Sequence, residues 1–227
     1  MAEREFHAVA DLFPLLEGAA FDELAADIKK NGLREAILID ADGRIVDGRN
    51  RYRACLAAGV EPRFVEWQGE GELAELALSL NLRRRHLDES QRALVAARLA
   101  KLMEKEAVKR KDWRRHDPAE MQGHPPGESR IRAGAQVNVS PRLVSYALKI
   151  LKDGSEELIG AVESGGLAVT PGAALARLPH GEQAKAVAGG VKHAAAKARE
   201  LRGVKSAAAV PPPSPGRFGV LRAEMAG

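Results

Sequence analysis

The sequence holds one cysteine, Cys55, among 227 residues. A single thiol excludes an intramolecular disulfide and any metal cluster built from several cysteines. Aromatic residues are scarce at 4%, whereas hydrophobic residues make up 45%, so the core must be assembled from Ala, Leu, Val and Ile. No uninterrupted run of about 18 apolar residues occurs, so nothing reads as a membrane-spanning helix. Met1-Ala2-Glu3-Arg4-Glu5 lacks the basic-then-apolar signature of a secretory signal, and a cytoplasmic location is expected. Two histidines between 110 and 129, His116 and His124, have no thiol nearby and are too few to hold a metal.

Charge is present in quantity, at 29% of residues, but it is unevenly spread. Residues 1–82 carry 9 Lys and Arg against 16 Asp and Glu, residues 83–115 carry 12 against 5, and residues 116–227 carry 14 against 10. An acidic first third followed by a basic segment suggests that a polyanion meets the later part of the chain. The alternative is a solvated basic helix.

Patterning divides the chain by secondary structure. Phe21, Leu24, Ala25 and Ile28 form one helical stripe, stopped at Asn31-Gly32. Ala36-Ile37-Leu38-Ile39 reads as a buried strand, Asp40 to Gly43 as a turn, and Arg44-Ile45-Val46 as a return strand. Arg51 to Ala58 reads as a helix, Arg63 to Trp67 as a half-buried strand, and Glu72 to Ser79 as a helix. From Asp88 onward strand patterns disappear. Asp88 with Gln91 makes a capping-box variant that opens a helix with Val95, Leu99, Leu102 and Met103 as its stripe, running to about Val108. Residues 110–129, with Pro118, Pro125 and Pro126, read as a basic linker in which Trp113 sits among Lys and Arg. A second helical unit covers 130–180, and an Ala- and Lys-rich helix interrupted at Gly189-Gly190 follows. From Ser206 the chain turns to Ala and Pro, with Pro211-Pro212-Pro213 expected to be extended and unpacked.

The first chemical signal is Arg44-Ile45-Val46-Asp47-Gly48-Arg49-Asn50-Arg51-Tyr52-Arg53. A strand runs into Gly48 and a helix begins almost at once, which leaves backbone N–H groups at a helix N-terminus that favour an anion. Arg49, Arg51 and Arg53 add three guanidiniums suited to phosphate oxygens. Equally, these arginines could pair with carboxylates of the same acidic unit and leave a structural turn.

Three segments in order resemble the ParB-like N-terminal domain family. Phe21 to Leu33 is similar to its first box. Asp47-Gly48-Arg49-Asn50-Arg51-Tyr52-Arg53-Ala54 is similar to its second, usually Gly-Glu-Arg-Arg followed by an aromatic, Arg and Ala. Asn81-Leu82-Arg83-Arg84-Arg85-His86-Leu87 is similar to its third. The resemblance implies an α+β domain over 1–87 with a pocket for CTP and Mg²⁺, to which Gly32, Gly48, Arg51 and Asn81 correspond by position and Arg49, Asn50 and Arg53 by neighbourhood. The sequence departs from the family at Arg49 and Asn50, which replace Glu and Arg. It departs again at Leu80, which replaces a Glu and so removes a ligand for a hard cation. No more than weak CTP hydrolysis is expected. Related folds include the sulfiredoxins, whose nucleophilic Cys in this loop is Asn50 here. Cys55, within the helix, reads as a small core residue.

The second signal runs from Ala133 to Leu151. Ser140 is a good N-cap and Pro141 suits the first helical position. Val144, Ala147, Leu148 and Leu151 share one face of the following helix, and Arg142, Ser145, Tyr146 and Lys149 share the other. A short helix, a turn at Asn138-Val139-Ser140 and a capped amphipathic helix make a helix-turn-helix pattern. Arg142 and Ser145 are placed for base edges, with Lys149 and Lys152 placed for phosphates. An ordinary helical hairpin is the alternative. Gly134 within the first helix disfavours the motif, by about 1 kcal/mol relative to Ala. In the ParB-like family such a motif follows the N-terminal domain, and the resemblance extends to about Thr170.

The expected architecture is thus an α+β ParB-like domain at 1–87, a connecting helix at 88–109, the basic linker at 110–129, an all-α helix-turn-helix domain at 130–180, an Ala/Lys-rich helix at 181–205 and a disordered Pro-rich tail at 206–227. The 1–82 and 130–180 units are expected as separate bodies. The expected partner is double-stranded DNA, with a homodimer possible, no membrane, and a nucleoid-associated location in a partition or mobile-element regulatory role. Two other function classes remain: a nucleotide hydrolase or phosphotransferase using the Gly48 loop, and a truncated protein-interaction adaptor. Phe218 to Met225 also resembles, faintly, the approach to an adenine methyltransferase domain of the kind that some ParB-like domains precede.

Overall fold

The computed structural model describes residues 4–69, 72–82, 87–114 and 128–208, with 109–114 and 204–208 described by backbone alone. The proline-rich run at 211–215, the segment resembling a methyltransferase, the three arginines 83–85 and most of the linker lie outside the described residues.

The chain opens with a 3-10 helix, Ala8–Leu12, whose first turn is capped by His7: its Nδ1 accepts from Val9 N at 3.2 Å. Helix α1, Ala19–Asn31, ends at Gly32, whose N–H reaches Ile28 O at 2.8 Å. Strands β1, Ile37–Ile39, and β2, Ile45–Asp47, pair antiparallel across the expected turn. Helix α2, Arg49–Ala58, starts two residues earlier than patterning predicts, directly after β2. Strand β3, Phe64–Glu66, then returns parallel to β1 and completes a three-stranded sheet ordered β2-β1-β3. Helix α3, Leu73–Leu82, follows. Ile28, Leu33, Ile37, Ile45, Tyr52, Ala54 and Cys55 fill the space among the sheet, α1 and α2. This is an α+β arrangement. Cys55 lies in that core, where burial pushes its thiol up from 9.0.

The second half is helical: α4, Glu89–Arg114; α5, Glu128–Gln136; α6, Pro141–Asp153; α7, Glu156–Glu163; α8, Val169–Leu175; α9, His180–Ala188; and α10, Val191–Ala208. Asp88 and Gln91 form the capping box, with Gln91 N donating to Asp88 Oδ1 at 2.8 Å and Asp88 N to Gln91 Oε1 at 2.9 Å. Helix α4 continues six residues beyond the expected end at Val108, into what patterning assigns to the linker, and α5 begins inside that same range. The Ala-rich C-terminal segment is two helices broken at Gly189-Gly190, and the second runs through Ala208, past the expected start of the tail.

A single stripe on α4 was expected, but its first half is buried all round. Ala93, Leu94, Val95, Ala96, Ala97, Leu99 and Ala100 are each at most 1% exposed. Small side chains let neighbours approach from several sides. One apolar cluster therefore runs from Val9, Leu12, Phe13 and Val46 through α4 to Val144, Ile150, Leu158 and Leu175. Arg98 of α4 stitches the same boundary by pairing with Glu163 of α7 and donating to Leu12 O. The 1–82 and 130–180 units share a core through α4 rather than standing apart.

Candidate functional site

Two places gather the polar residues that the sequence singles out. The first is the β2–α2 junction. Gly48 takes φ 95°, in the left-handed region, and turns the chain from strand to helix within one residue. A Cβ there would lie 3.0 Å from Nε and Nη2 of Arg51, so glycine is needed both for the turn and for the arginine packed across it. The junction opens on a cleft of about 200 Å³ lined by Gly48, Arg49, Asn50, Arg51 and Asn81, with apolar walls from Val9, Phe13, Leu16 and Leu24. Because α2 starts at Arg49, its first-turn N–H groups belong to this rim.

The cations of the cleft are held by carboxylates. Arg51 donates from Nη2 to Asp47 Oδ2 at 2.9 Å and from Nη1 to Glu35 Oε2 at 2.5 Å. Asn81 Nδ2 donates to the other oxygen of Asp47 at 2.9 Å, so one carboxylate joins β2, α2 and α3. Arg49 pairs with Asp11 and donates to Phe13 O at 2.8 Å. Asn50 Oδ1 accepts from Leu16 N at 3.0 Å. Arg53 turns away: it donates to Leu16 O at 3.2 Å, and its guanidinium carbon lies 4.7 Å from the centroid of the Phe21 ring. Gly32, at the end of α1, is not among the residues lining the cleft. Gly48, Arg49, Asn50, Arg51 and Asn81 therefore converge, whereas Arg53 and Gly32 support the surroundings.

The pairing partners were not read from the sequence. Asp47 stands four residues before Arg51, a local signal that the junction obscured. Glu35 and Asp11 are 16 and 38 residues from their arginines, and nothing local marks them. Both are largely exposed, Glu35 at 60% and Asp11 at 66%. Their arginines are more enclosed, Arg51 at 17% and Arg49 at 14%, so each pair is exposed on the carboxylate side only. Among the described residues, no three His, Cys, Asp or Glu side chains gather around one point.

The second place is α6. Ser140 Oγ accepts from Leu143 N at 3.4 Å and Pro141 occupies the first turn, as the sequence implies. Val144, Ala147 and Ile150 are fully buried. The turn before it uses Asn138 at φ 54°, the one non-glycine residue with positive φ among the described residues. Gly134, which disfavoured the motif, has a reason here. A Cβ on it would meet Val139 O at 2.6 Å and Val144 Cγ2 at 3.3 Å, so the turn folds against α5 only where a side chain is absent. On the polar face, Arg142 Nε donates to Tyr146 OH at 2.9 Å. Ser145 Oγ donates to Pro141 O at 2.9 Å and accepts from Arg130 Nη1 at 3.2 Å. Lys149 Nζ lies 3.3 Å from Asp153 Oδ2. Lys152, near the C-terminal end, is exposed. Arg130, reaching across from α5, is the polar-face residue that sequence patterning missed.

No family model matches the chain, and no curated protein matches it significantly. Among solved structures it is similar to the Pnob8-like ParB-N domain in its C2221 form, at 16% identity and a TM-score of 0.46, over 76% of this chain and 75% of that one. It is also similar to the C-terminally truncated chromosome-partitioning protein ParB from Caulobacter crescentus. In complex with CTP-γ-S that structure matches at 17% identity and a TM-score of 0.29, over 83% and 89% of the two chains. In complex with the centromeric parS site it matches at 17% identity and 0.31, over 82% and 90%. Each of these solved structures is of a ParB protein, at 16–17% identity to this chain.

Proposed function

We propose that the chain is a sequence-specific binder of double-stranded DNA, of ParB-like type, in a partition or mobile-element regulatory role. The observation that carries this reading is α6: a capped helix that buries Val144, Ala147 and Ile150 fully and Leu148 and Leu151 in part, and whose opposite face carries Arg142, Ser145, Tyr146 and Lys149. With α5 and the tight turn before it, α6 reads as the recognition helix of a helix-turn-helix, its N-terminal end entering the major groove. Arg142 and Ser145 would then meet base edges, and Lys149 and Lys152 phosphates. A homodimer would present two such helices to half-sites one helical turn apart. Such a protein would reside on the nucleoid.

The Gly48 cleft is the second element of the proposal. It would take a phosphorylated ligand, and the ParB-like resemblance makes that ligand CTP, with Mg²⁺ carried in on its phosphates. Arg51 would release Glu35 to receive the phosphates, while Asp47 and Asn81 keep it aimed. With Leu80 in place of a carboxylate, hydrolysis would be slow or absent.

One experiment addresses both parts: duplexes are selected from a randomised pool on the full chain, with and without CTP and Mg²⁺, and calorimetry is run with the four ribonucleotides. The expected result is an enriched sequence and heat with CTP that Arg51→Ala abolishes. No enrichment and no affinity for duplex would end the DNA reading. No heat with any nucleotide would leave the Gly48 junction a structural turn.

A further inference from the structure

We propose that Tyr146 is a positioning residue that aims Arg142 at a guanine in the major groove; this rests on the DNA-binding reading of α6 and names the base it would read. Arg142 is the second residue of α6, at the end of the helix that a recognition helix presents to base edges. Tyr146 lies four positions on, so the two side chains are neighbours on one face. The Nε–H of Arg142 is taken by Tyr146 OH at 2.9 Å, and the guanidinium carbon lies 5.5 Å from the centroid of the tyrosine ring.

That contact occupies one edge of the guanidinium and leaves the end of the fork, Nη1 and Nη2, with no partner among the described residues. The rest of the polar face is committed differently. Ser145 is held between Pro141 O and Arg130, and Lys149 is paired with Asp153. Arg142 is thus the group on this face that the tyrosine hydroxyl holds at one edge while its parallel donors stay open. Two parallel donors match two adjacent acceptors. In the major groove only guanine offers that pattern, through O6 and N7; adenine offers an acceptor beside a donor, and the pyrimidines offer single groups. Without the tyrosine hydroxyl, Arg142 would be a flexible cation on an exposed turn, equally suited to any phosphate.

Phosphate oxygens also accept a guanidinium fork, so the test must separate base from backbone. The full chain first selects its duplex from a randomised pool. Each guanine of that duplex is then replaced in turn by 7-deazaguanine, which lacks the N7 acceptor and leaves the phosphates untouched. Binding is measured for the wild type, Tyr146→Phe, Arg142→Lys and Arg142→Ala over a range of salt. The expected result is one guanine per half-site whose replacement weakens the wild type by about tenfold. Arg142→Ala should be indifferent to that replacement, because it has no donor, and Arg142→Lys should respond less than the wild type, because its ammonium lacks the planar fork. Tyr146→Phe should lose most of the discrimination while the dependence of affinity on salt and the melting temperature stay as in the wild type.

Full discrimination in Tyr146→Phe would overturn the proposal, as would a uniform loss of affinity with a shallower salt dependence. A wild type that binds duplex with no sensitivity to any guanine would also overturn it and leave DNA binding standing. A wild type that binds no duplex would remove the DNA reading itself, and this proposal with it.

Discussion

At Gly48 and Gly134 the missing side chain has two different consequences. Gly48→Ala would place a Cβ in a left-handed backbone conformation and against Arg51. It should destabilise the protein by about 1–3 kcal/mol and, in calorimetry, lose any nucleotide heat together with Arg51→Ala. Gly134→Ala improves helix propensity, yet it should also destabilise, by about 1–3 kcal/mol, because its Cβ would meet the Val139 carbonyl. Thermal melting decides: a stabilised Gly134→Ala protein would mean that the turn does not press on α5. The N-terminal segment should also sense acid. Burial, with Arg44 nearby, holds His7 below its ordinary 6.5, and its Nδ1 must be unprotonated to cap the 3-10 helix. The folded chain therefore binds that proton less readily than the unfolded one, so the stability is complete above pH 6.5 and declines as pH falls through the depressed value. For Asp40, burial pushes upward, but the Arg44 N–H and guanidinium outweigh it and hold the carboxyl below 3.8. Its contribution is present above 3.8 and is lost only at still lower pH. His7→Asn, which keeps a capping acceptor, should flatten the melting temperature between pH 7 and 5, and Asp40→Asn should flatten it at the acid end. Superimposable profiles for wild type and variants would contradict both assignments.

Among the elements, α4 decides how the molecule coheres. Leu94 and Leu99 are at most 1% exposed, within a cluster that includes Val46 on one side and Leu158 and Leu175 on the other. Leu94→Ala should cost about 2–5 kcal/mol and should lower a single cooperative transition; two separated transitions would mean that the sheet and the helices do not share a core. Much of this level could be read from sequence, and the reason is locality. The Asp88–Gln91 box, the Ser140 cap with Pro141, the Gly32 stop and the break at Gly189-Gly190 each depend on residues within one turn of each other. The all-round burial of α4 could not be read, because Ala93, Ala96, Ala97 and Ala100 are neutral in a periodicity count and become core only when neighbours approach them. The cleft was legible in the same uneven way. Gly48, Arg49, Asn50 and Arg51 stand together in sequence, and the box resemblance brought in Asn81. Glu35 and Asp11, which hold the arginines, are brought in by the fold alone, so a site that looks purely cationic in the sequence is charge-balanced in the folded chain.

For the whole molecule, the uneven charge gives the proposed function a direction. The acidic first third includes the carboxylates that pair with the cleft arginines, and the polar face of α6 belongs to the part of the chain with excess positive charge. On the proposed reading, a duplex would be drawn to the helical part of the chain. Equilibrium binding of the selected duplex to the full-length chain, measured as a function of salt, tests this account most directly. Affinity should fall steeply as salt rises. Lys149→Ala should lower affinity on every duplex and reduce the salt slope by about one, and Arg142→Ala should cost about 1–3 kcal/mol on the selected duplex while leaving the slope nearly intact. Absence of affinity for any duplex at low salt would contradict it, and so would wild-type binding by both variants.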